Sequence, residues 1–400
     1  MNQPYIPELD LLTARQAADR LGIKLDTLYA YVSRGRLQSV ALPGSRERRY
    51  RVEDVEALLA TREGERPARS TESEALMPVI GSSICLIDKG RLFYRGKDAI
   101  RLSNEASLED VATLLWRAEE GADLDANRPD ISPGDISASG LIERCQISLA
   151  AEADADLPAV DLTRTGVIRT GRRILRALAA SVALLPALPG PVHRRLAAAW
   201  RLDQAGAEIL RRCLVLIADH ELNASTFVAR CVASTGATPY AVVSAALSAL
   251  SGRRHGGASA RAEALFAELA RGGDAMTVMA GRLARGEDLP GFGHFLYPAG
   301  DPRASTILAA ITRTLPQARP LIESAAFAGT RLTGRHPNVD FALAAAATSL
   351  ALPRNAALAI FIVGRTVGWI AHAIEQYESG ILIRPRARYT GPRPEESISD

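Results

Sequence analysis

Six histidines stand in the chain: His193, His220, His255, His294, His336 and His372. Imidazole is the side chain best suited to proton exchange and hydrogen-bond donation near neutral pH, and three of the six have unusual neighbours. His255 lies in Arg254-His255-Gly256-Gly257-Ala258, where two glycines would let the backbone approach a ligand and expose the ring at a helix start. His294 lies in Pro290-Gly291-Phe292-Gly293-His294, a second glycine-bearing loop, with Asp301-Pro302-Arg303 downstream. His220 sits in Ala218-Asp219-His220-Glu221-Leu222-Asn223-Ala224-Ser225-Thr226. None has metal-ligand spacing. His220-Glu221 lacks a second histidine at the interval a zinc protease uses, and no Gly-x-x-x-x-Gly-Lys phosphate loop occurs, so metal and nucleotide-hydrolysis chemistries are set aside.

These segments need a scaffold. A chain of 400 residues, 47% apolar and 23% charged, has room for two or three domains and excludes disordered and fibrous classes. Its 48 Lys+Arg against 45 Asp+Glu leave a net charge of +3, too balanced to coat nucleic acid along the whole surface, so any DNA contact must be local. Cys85, Cys145, Cys213 and Cys231 form no Cys-x-x-Cys pair and read as buried thiols of a cytoplasmic protein. The start Met1-Asn2-Gln3-Pro4 lacks a signal-peptide pattern, and Pro353-Arg354-Asn355 interrupts the apolar stretch Phe341 to Gly364, so no membrane span is expected.

Thr61 to Pro78 is rich in Glu, Arg, Ser, Thr and Pro with almost nothing to bury, which predicts a linker over 62–78 between a module at 1–61 and a body at 79–400. The body's apolar residues recur at helical spacing. Its one strand region is Val79 to Gly96, where Ile84, Leu86 and Ile87 should face Leu92, Phe93 and Tyr94 across Asp88-Lys89-Gly90. Asp123 to Ala138, with its prolines, Gly134 and aspartates, reads as a surface loop.

In the N-terminal module Thr13 and Gln16 form a capping box ahead of a helix that stops at Gly22, and Asp26 is placed to cap a second helix ending at Gly35. Leu28 and Val32 face inward there, while Thr27, Ala30, Ser33 and Arg34 face out. Leu37 to Leu42 and Arg48 to Val52 then flank the turn Pro43-Gly44 and carry Arg46, Arg48, Arg49 and Arg51. This pattern resembles the winged helix-turn-helix of the MerR and excisionase families. The resemblance implies DNA contacts through Thr27, Ser33 and Arg34 of the second helix and Arg46, Arg48 and Arg49 of the wing. A small interaction domain with a solvated arginine face is the alternative. One module binds weakly, so specific DNA recognition requires a dimer.

Six body segments occur in an order that resembles the citrate synthases, 2-methylcitrate synthases included. They are Tyr94-Arg95-Gly96, the Ala218 to Thr226 run, His255-Gly256-Gly257-Ala258, Gly291-Phe292-Gly293-His294 with Asp301-Pro302-Arg303-Ala304, Asn338-Val339-Asp340-Phe341, and Gly368 to His372 with Arg384 to Tyr389. The resemblance implies an all-α homodimer of large and small domains, the smaller at about 258–352, closing over acetyl-CoA or propionyl-CoA and oxaloacetate, with no cofactor beyond the acyl-CoA substrate. Condensing a thioester with an α-keto acid needs a base for a weakly acidic C–H, a donor for the enolate oxygen and a donor to polarise the ketone. By resemblance these are Asp340, His255 and His294. Arg303, Arg365 and Arg384 would bind the oxaloacetate carboxylates, with His220 adding a hydrogen bond. On local sequence alone Asp340 could equally cap the helix that Phe341 opens, the histidines could be ordinary loop residues, and the arginines could form surface ion pairs. Arg365 differs, because it lies inside the apolar stretch Ala356 to Ile370, where burial without a partner would be costly.

Three positions depart from the family pattern. Arg253-Arg254 replaces the usual Pro-Leu, setting two positive charges beside His255 that disfavour its protonated form. Ser259-Ala260 stands where the family often has an Asn or neighbouring polar pair, as in HGGANE, and Phe295 stands where many bacterial members have Arg, which alters the expected CoA contacts. The segment after Val79 matches poorly. A second reading is a DNA-binding regulator that uses the fold to sense an acyl-CoA or a dicarboxylate. A pure sensor has no need of His255, His294 and Asp340 together, and the chain keeps all three.

Overall fold

A strand, β1 (Leu11–Thr13), runs directly into helix α1 (Ala14–Arg20). The predicted capping box is formed there, with Gln16 N donating to Thr13 Oγ1 at 3.2 Å and Thr13 N donating to Gln16 Oε1 at 2.9 Å. The computed structural model describes residues 11–21, 23, 25–33, 37–41, 48–52, 54–55, 80–119, 140–185, 190–387 and 389–391. Two compact units divide the chain, Met1–Ile80 and Gly81–Asp400. The linker expected at 62–78 and the loop expected at Asp123 to Ala138 lie outside the described residues.

In the first unit α1 is followed by α2 (Leu25–Ser33), and β1 pairs antiparallel with β3 (Arg48–Arg51), which also pairs with β2 (Val40–Ala41). The order β1-β3-β2 makes β3 a central strand rather than one arm of an isolated hairpin. Asp26, expected as the cap of α2, is instead its second residue. Leu28 is buried as predicted, against Ala17, Ala18, Leu21, Leu37, Tyr50 and Val55. Thr27 is half-buried and Ser33 exposed, its hydroxyl turned back to Ala30 O at 3.0 Å. Arg48 is exposed and Arg49 half-buried, whereas Arg34 and Arg46 lie outside the described residues.

The second unit opens with the predicted hairpin. β4 (Cys85–Asp88) and β5 (Arg91–Tyr94) pair with Ile87 opposite Leu92, and Lys89 and Gly90 supply the two positive-φ turn positions. A third strand, β6 (Lys97–Asp98), completes the small sheet. Helices follow: α3 (Ala99–Glu105), α4 (Leu108–Trp116), α5 (Leu141–Ala155), α6 (Arg164–Ala183), α7 (Val192–Ala199), α8 (Gln204–Ile217), α9 (Ala224–Ala233) and α10 (Pro239–Leu250). Then come α11 (Gly256–Ala270), α12 (Ala275–Ala284), α13 (Pro302–Thr314), α14 (Arg319–Thr333), α15 (Val339–Ser349) and α16 (Ala356–Ser379).

Near-continuous apolar sequence makes α16 the central post, apolar all round and buried over most of its length. It is long and apolar enough to cross a membrane, but its apolar window lies wholly inside the core. Gly368 permits the closest crossing, since a Cβ there would collide with the Ala218 carbonyl and the Asp219 carboxylate. The turn after α8 is thereby set against α16. Around α11, α13 and α15 the packing centres on Phe341, whose ring meets Phe266 at 4.8 Å and Phe292 at 5.1 Å, edge to face. All four cysteines are free thiols. Cys145 and Cys213 are buried as expected, while Cys85 and Cys231 are only partly so.

Candidate active site

Four short segments of the second unit supply the candidate side chains, three of them at a helix end and the fourth in the loop before α13. The turn between α8 and α9 presents His220, whose Nε2 lies 3.0 Å from the Tyr297 hydroxyl. The loop before α13 presents His294, edge-on to His220 at 4.9 Å between ring centroids. Leu296 N donates to His294 Nδ1 at 3.2 Å, so in the neutral ring the proton sits on Nε2. Phe295 stacks on the same ring at 5.2 Å yet is 84% exposed.

His255 is the N-cap residue of α11. The glycine after it serves the chain itself and not a ligand, because a Cβ on Gly256 would run into the Leu250 carbonyl and side chain. His255 Nε2 lies 2.7 Å from Ser225 Oγ, which also receives the Trp369 indole N–H at 3.3 Å. Ser225 was not singled out from sequence, and neither was Tyr297. The Ser225 hydroxyl also lies 3.0 Å from Asn223 Oδ1, and when it gives its one proton to His255 Nε2 the imidazole proton sits on Nδ1.

Asp340 is the second residue of α15, and the alternative of a helix cap is resolved by its neighbour. Asn338 is the cap, its Oδ1 accepting from Asp340 N at 3.0 Å and Phe341 N at 3.3 Å. The Asp340 carboxylate is therefore free of capping duty, and its Oδ1 accepts a short hydrogen bond from Ser259 Oγ. Asn338 Nδ2 reaches Gly293 O at 3.0 Å, joining α15 to the His294 loop.

Two guanidinium groups complete the cluster. Arg303 is forked by Asp301, Nε to Oδ1 at 3.0 Å and Nη2 to Oδ2 at 2.7 Å, in a pair buried to 2% and 1% exposure, so it is no surface ion pair. Asp301 Oδ2 also accepts from Val339 N at 3.1 Å. Arg365, on α16, donates from Nε to Ile217 O at 2.8 Å and lies 4.9 Å over the Phe361 ring, while its buried Nη1 has no hydrogen-bond partner. Arg384 lies elsewhere, exposed in the irregular segment 381–387, with no hydrogen bond or ion pair to the cluster. Its substrate role rests on resemblance alone.

The electrostatics follow from burial beside these cations. Burial, then Arg365, lowers His255 to about 4. Burial, then Arg303, lowers His294 to about 4, with Asp301 opposing. Burial together with Arg303, Arg365 and His294 holds His220 well below the imidazole range. All three are thus neutral near pH 7. Arg253 and Arg254, expected to disfavour the charged form of His255, are exposed, and burial with Arg365 does that work instead. Burial raises Asp340, with Ser259 and then Arg303 pulling it back down.

Behind the cluster runs a polar chain, buried at Asp219, His372 and Arg230 and reaching the surface at Ser83. Asp219 Oδ2 lies 3.2 Å from His372 Nε2, and Arg230 Nη1 lies 3.4 Å from His372 Nδ1. Arg230 continues to Glu375 Oε2 at 2.7 Å and Gln376 Oε1 at 2.9 Å. Glu375 Oε1 in turn accepts from the Ser83 N–H and hydroxyl, each at 2.8 Å.

Comparison with known proteins identifies the family. The family described as "Citrate synthase, C-terminal domain" matches residues 173–386, and the helix-turn-helix domain family matches residues 11–63. A citrate synthase of Mycolicibacterium smegmatis is 32% identical over 348 residues, covering 77% of this chain and 90% of its own. A 2-methylcitrate synthase of Mycobacterium tuberculosis is 31% identical over 340 residues, covering 75% and 84%. The structure of the citrate synthase of Thermoplasma acidophilum in ternary complex with carboxymethyl coenzyme A and oxaloacetate superposes with a TM-score of 0.68 at 25% identity, covering 81% of this chain and 97% of that one. The chain belongs to the citrate synthase family, a family of acyltransferases, and carries a helix-turn-helix domain at its N-terminus. The predicted helical fold is the one found.

Proposed function

We propose that the chain condenses an acyl-CoA, acetyl-CoA or propionyl-CoA, with oxaloacetate and hydrolyses the thioester product, releasing CoA and citrate or 2-methylcitrate. The observation that carries this reading is the pair of buried guanidinium groups. Arg303 lies 5.5 Å over the Tyr297 ring that His220 and His294 also meet, Arg365 and His255 both meet the Phe361 ring, and the Asp301 that forks Arg303 accepts from Val339 N beside Asp340, so the four candidate groups adjoin the two cations in one cationic pocket. A dicarboxylate is the ligand such a pocket suits, and its carboxylate would meet the unpartnered Nη1 of Arg365.

The chemistry then follows from the side chains. Asp340 takes the α-proton of the acyl group, and neutral His255 donates its N–H to the thioester oxygen as the enolate forms. His294, its proton on Nε2, polarises the ketone of oxaloacetate, and the enolate carbon attacks it. Water admitted afterwards cleaves the thioester. Movement of residues 258–352 over the substrates would exclude water during enolisation. No cofactor is required beyond the acyl-CoA, and the working form is taken as a cytoplasmic homodimer.

The test is CoA thiol release with oxaloacetate and either acyl-CoA. Asp340→Asn should lose at least about a thousandfold in turnover while still binding oxaloacetate, on the scale of removing a positioned base together with its charge. Retained turnover would sink the base assignment. The rates with the two acyl-CoAs choose the substrate, since one methyl group is worth about 1–3 kcal/mol in such a pocket. A second role is proposed for the first unit: local DNA binding through α2 and β3, supported by the helix-turn-helix match and the exposed Arg48.

A further inference from the structure

We propose that Ser259 is the positioning residue for the base, fixing the Asp340 carboxylate by Oδ1 and leaving Oδ2 as the oxygen that receives the acyl α-proton. The proposal rests on the assignment of Asp340 as base made above. Its ground is an inventory of donors. The backbone N–H groups that open α15 are all spent: Val339 on Asp301, Asp340 and Phe341 on the Asn338 side chain, and Ala342 on the Asn338 carbonyl. Among the described residues the Ser259 hydroxyl is the one hydrogen-bond donor to the Asp340 carboxylate, and Oδ2 accepts from none. Ser259 is itself 1% exposed, so water does not compete for its hydroxyl.

Position adds to this. Ser259 stands four residues after His255, one turn into α11, so a single helical turn carries both the donor to the enolate oxygen and the hydroxyl that orients the base. The two groups that work on the same thioester are thereby held by one rigid element, where the sequence differs from the Asn common in the family. The groups of other elements that act on Asp340 are Arg303 and Asp301 from the start of α13 and Arg365 from α16. Burial raises Asp340, and Ser259 is the strongest influence in the opposite direction. A base in this site must be ionised before it can accept a proton, so loss of the hydroxyl both misaligns the carboxylate and favours its neutral form.

Ser259→Ala is expected to lower kcat about 10- to 100-fold with the KM for oxaloacetate within about twofold, and to move the acid limb of the kcat profile up by about one pH unit. Ser259→Thr, which keeps a hydroxyl, should restore both. The Asp340 carboxyl, identified in ¹³C NMR spectra of aspartate-labelled protein by its absence from Asp340→Asn, should titrate about one unit higher in Ser259→Ala, a readout independent of turnover. An unmoved titration alongside an inactive Asp340→Asn would overturn the role of Ser259 alone. Turnover surviving in Asp340→Asn would remove the base and, with it, the function given to Ser259.

Discussion

The imidazoles of the candidate site are neutral near pH 7, and their neutrality comes from location. His255 and His294 both fall to about 4 because each is buried beside a guanidinium. The folded-state value is depressed below that of the unfolded chain, so the unfolded chain binds protons first as the pH falls, and both residues erode stability between about pH 6.5 and 4. For catalysis the consequence is an absence: the kcat profile should show no limb near pH 6.5 and should hold down to about pH 5, unless Asp340 titrates first. A limb at 6.5 that disappears in His255→Gln or His294→Gln would show that the ring in question protonates at its ordinary value. Sequence made His220, His255, His294, Asp340, Arg303 and Arg365 legible as a candidate cluster because each sits in a compact motif, whereas Arg384 lies apart from it. It did not reveal Ser225, Tyr297 or Ser259 as their partners, since those bonds join positions 30, 77 and 81 residues apart and depend on how helices cross. The same holds for Arg365, whose burial could be read from its apolar neighbours but whose carbonyl partner, Ile217, could not.

Helix ends, more than helix bodies, carry the specification here. The Asn338 cap frees Asp340 for chemistry, and the Asn-Val-Asp spacing shows this once the start of α15 is known. Sequence periodicity located α15 and α16 but left the start uncertain by two residues, which is the difference between a capping and a catalytic aspartate. α16 is also tied to the start of the second unit through Glu375, where burial alone would raise the carboxyl but the Ser83 and Ser82 hydrogen bonds and Arg230 draw it down to about 2. Because that folded value is depressed, the stability it gives is present above the unfolded value near 4.5 and is lost as the pH falls from there toward 2. Allowing for its partial exposure, Glu375→Gln should cost about 2 kcal/mol at pH 7. Urea midpoints should show that gap at pH 7 and a narrower one at pH 3.5, and equal midpoints at pH 7 would mean that the bonds are not maintained in solution.

Across the whole molecule, two units of unlike chemistry share one chain. The first unit's small core and central β3 were only partly legible, because the pairing of β1 with β3 rests on three residues too short to show strand periodicity. If that unit binds DNA, a gel shift with the chain's own upstream DNA should give a sequence-specific complex that weakens steeply with salt, and Arg48→Ala should reduce it. A complex indifferent to salt or sequence would leave the unit as an interaction domain. For the second unit, the placement of α16 near the chain's end bears on how the protein comes to exist. α4, α6, α8, α9, α10, α11 and α15 all pack on that one helix, yet it is the last of them to be synthesised. At roughly 5–20 residues per second on the ribosome, the apolar faces of its partners wait for tens of seconds without the post they belong on. Until α16 has been made, the core of this body lacks the one helix that all seven contact.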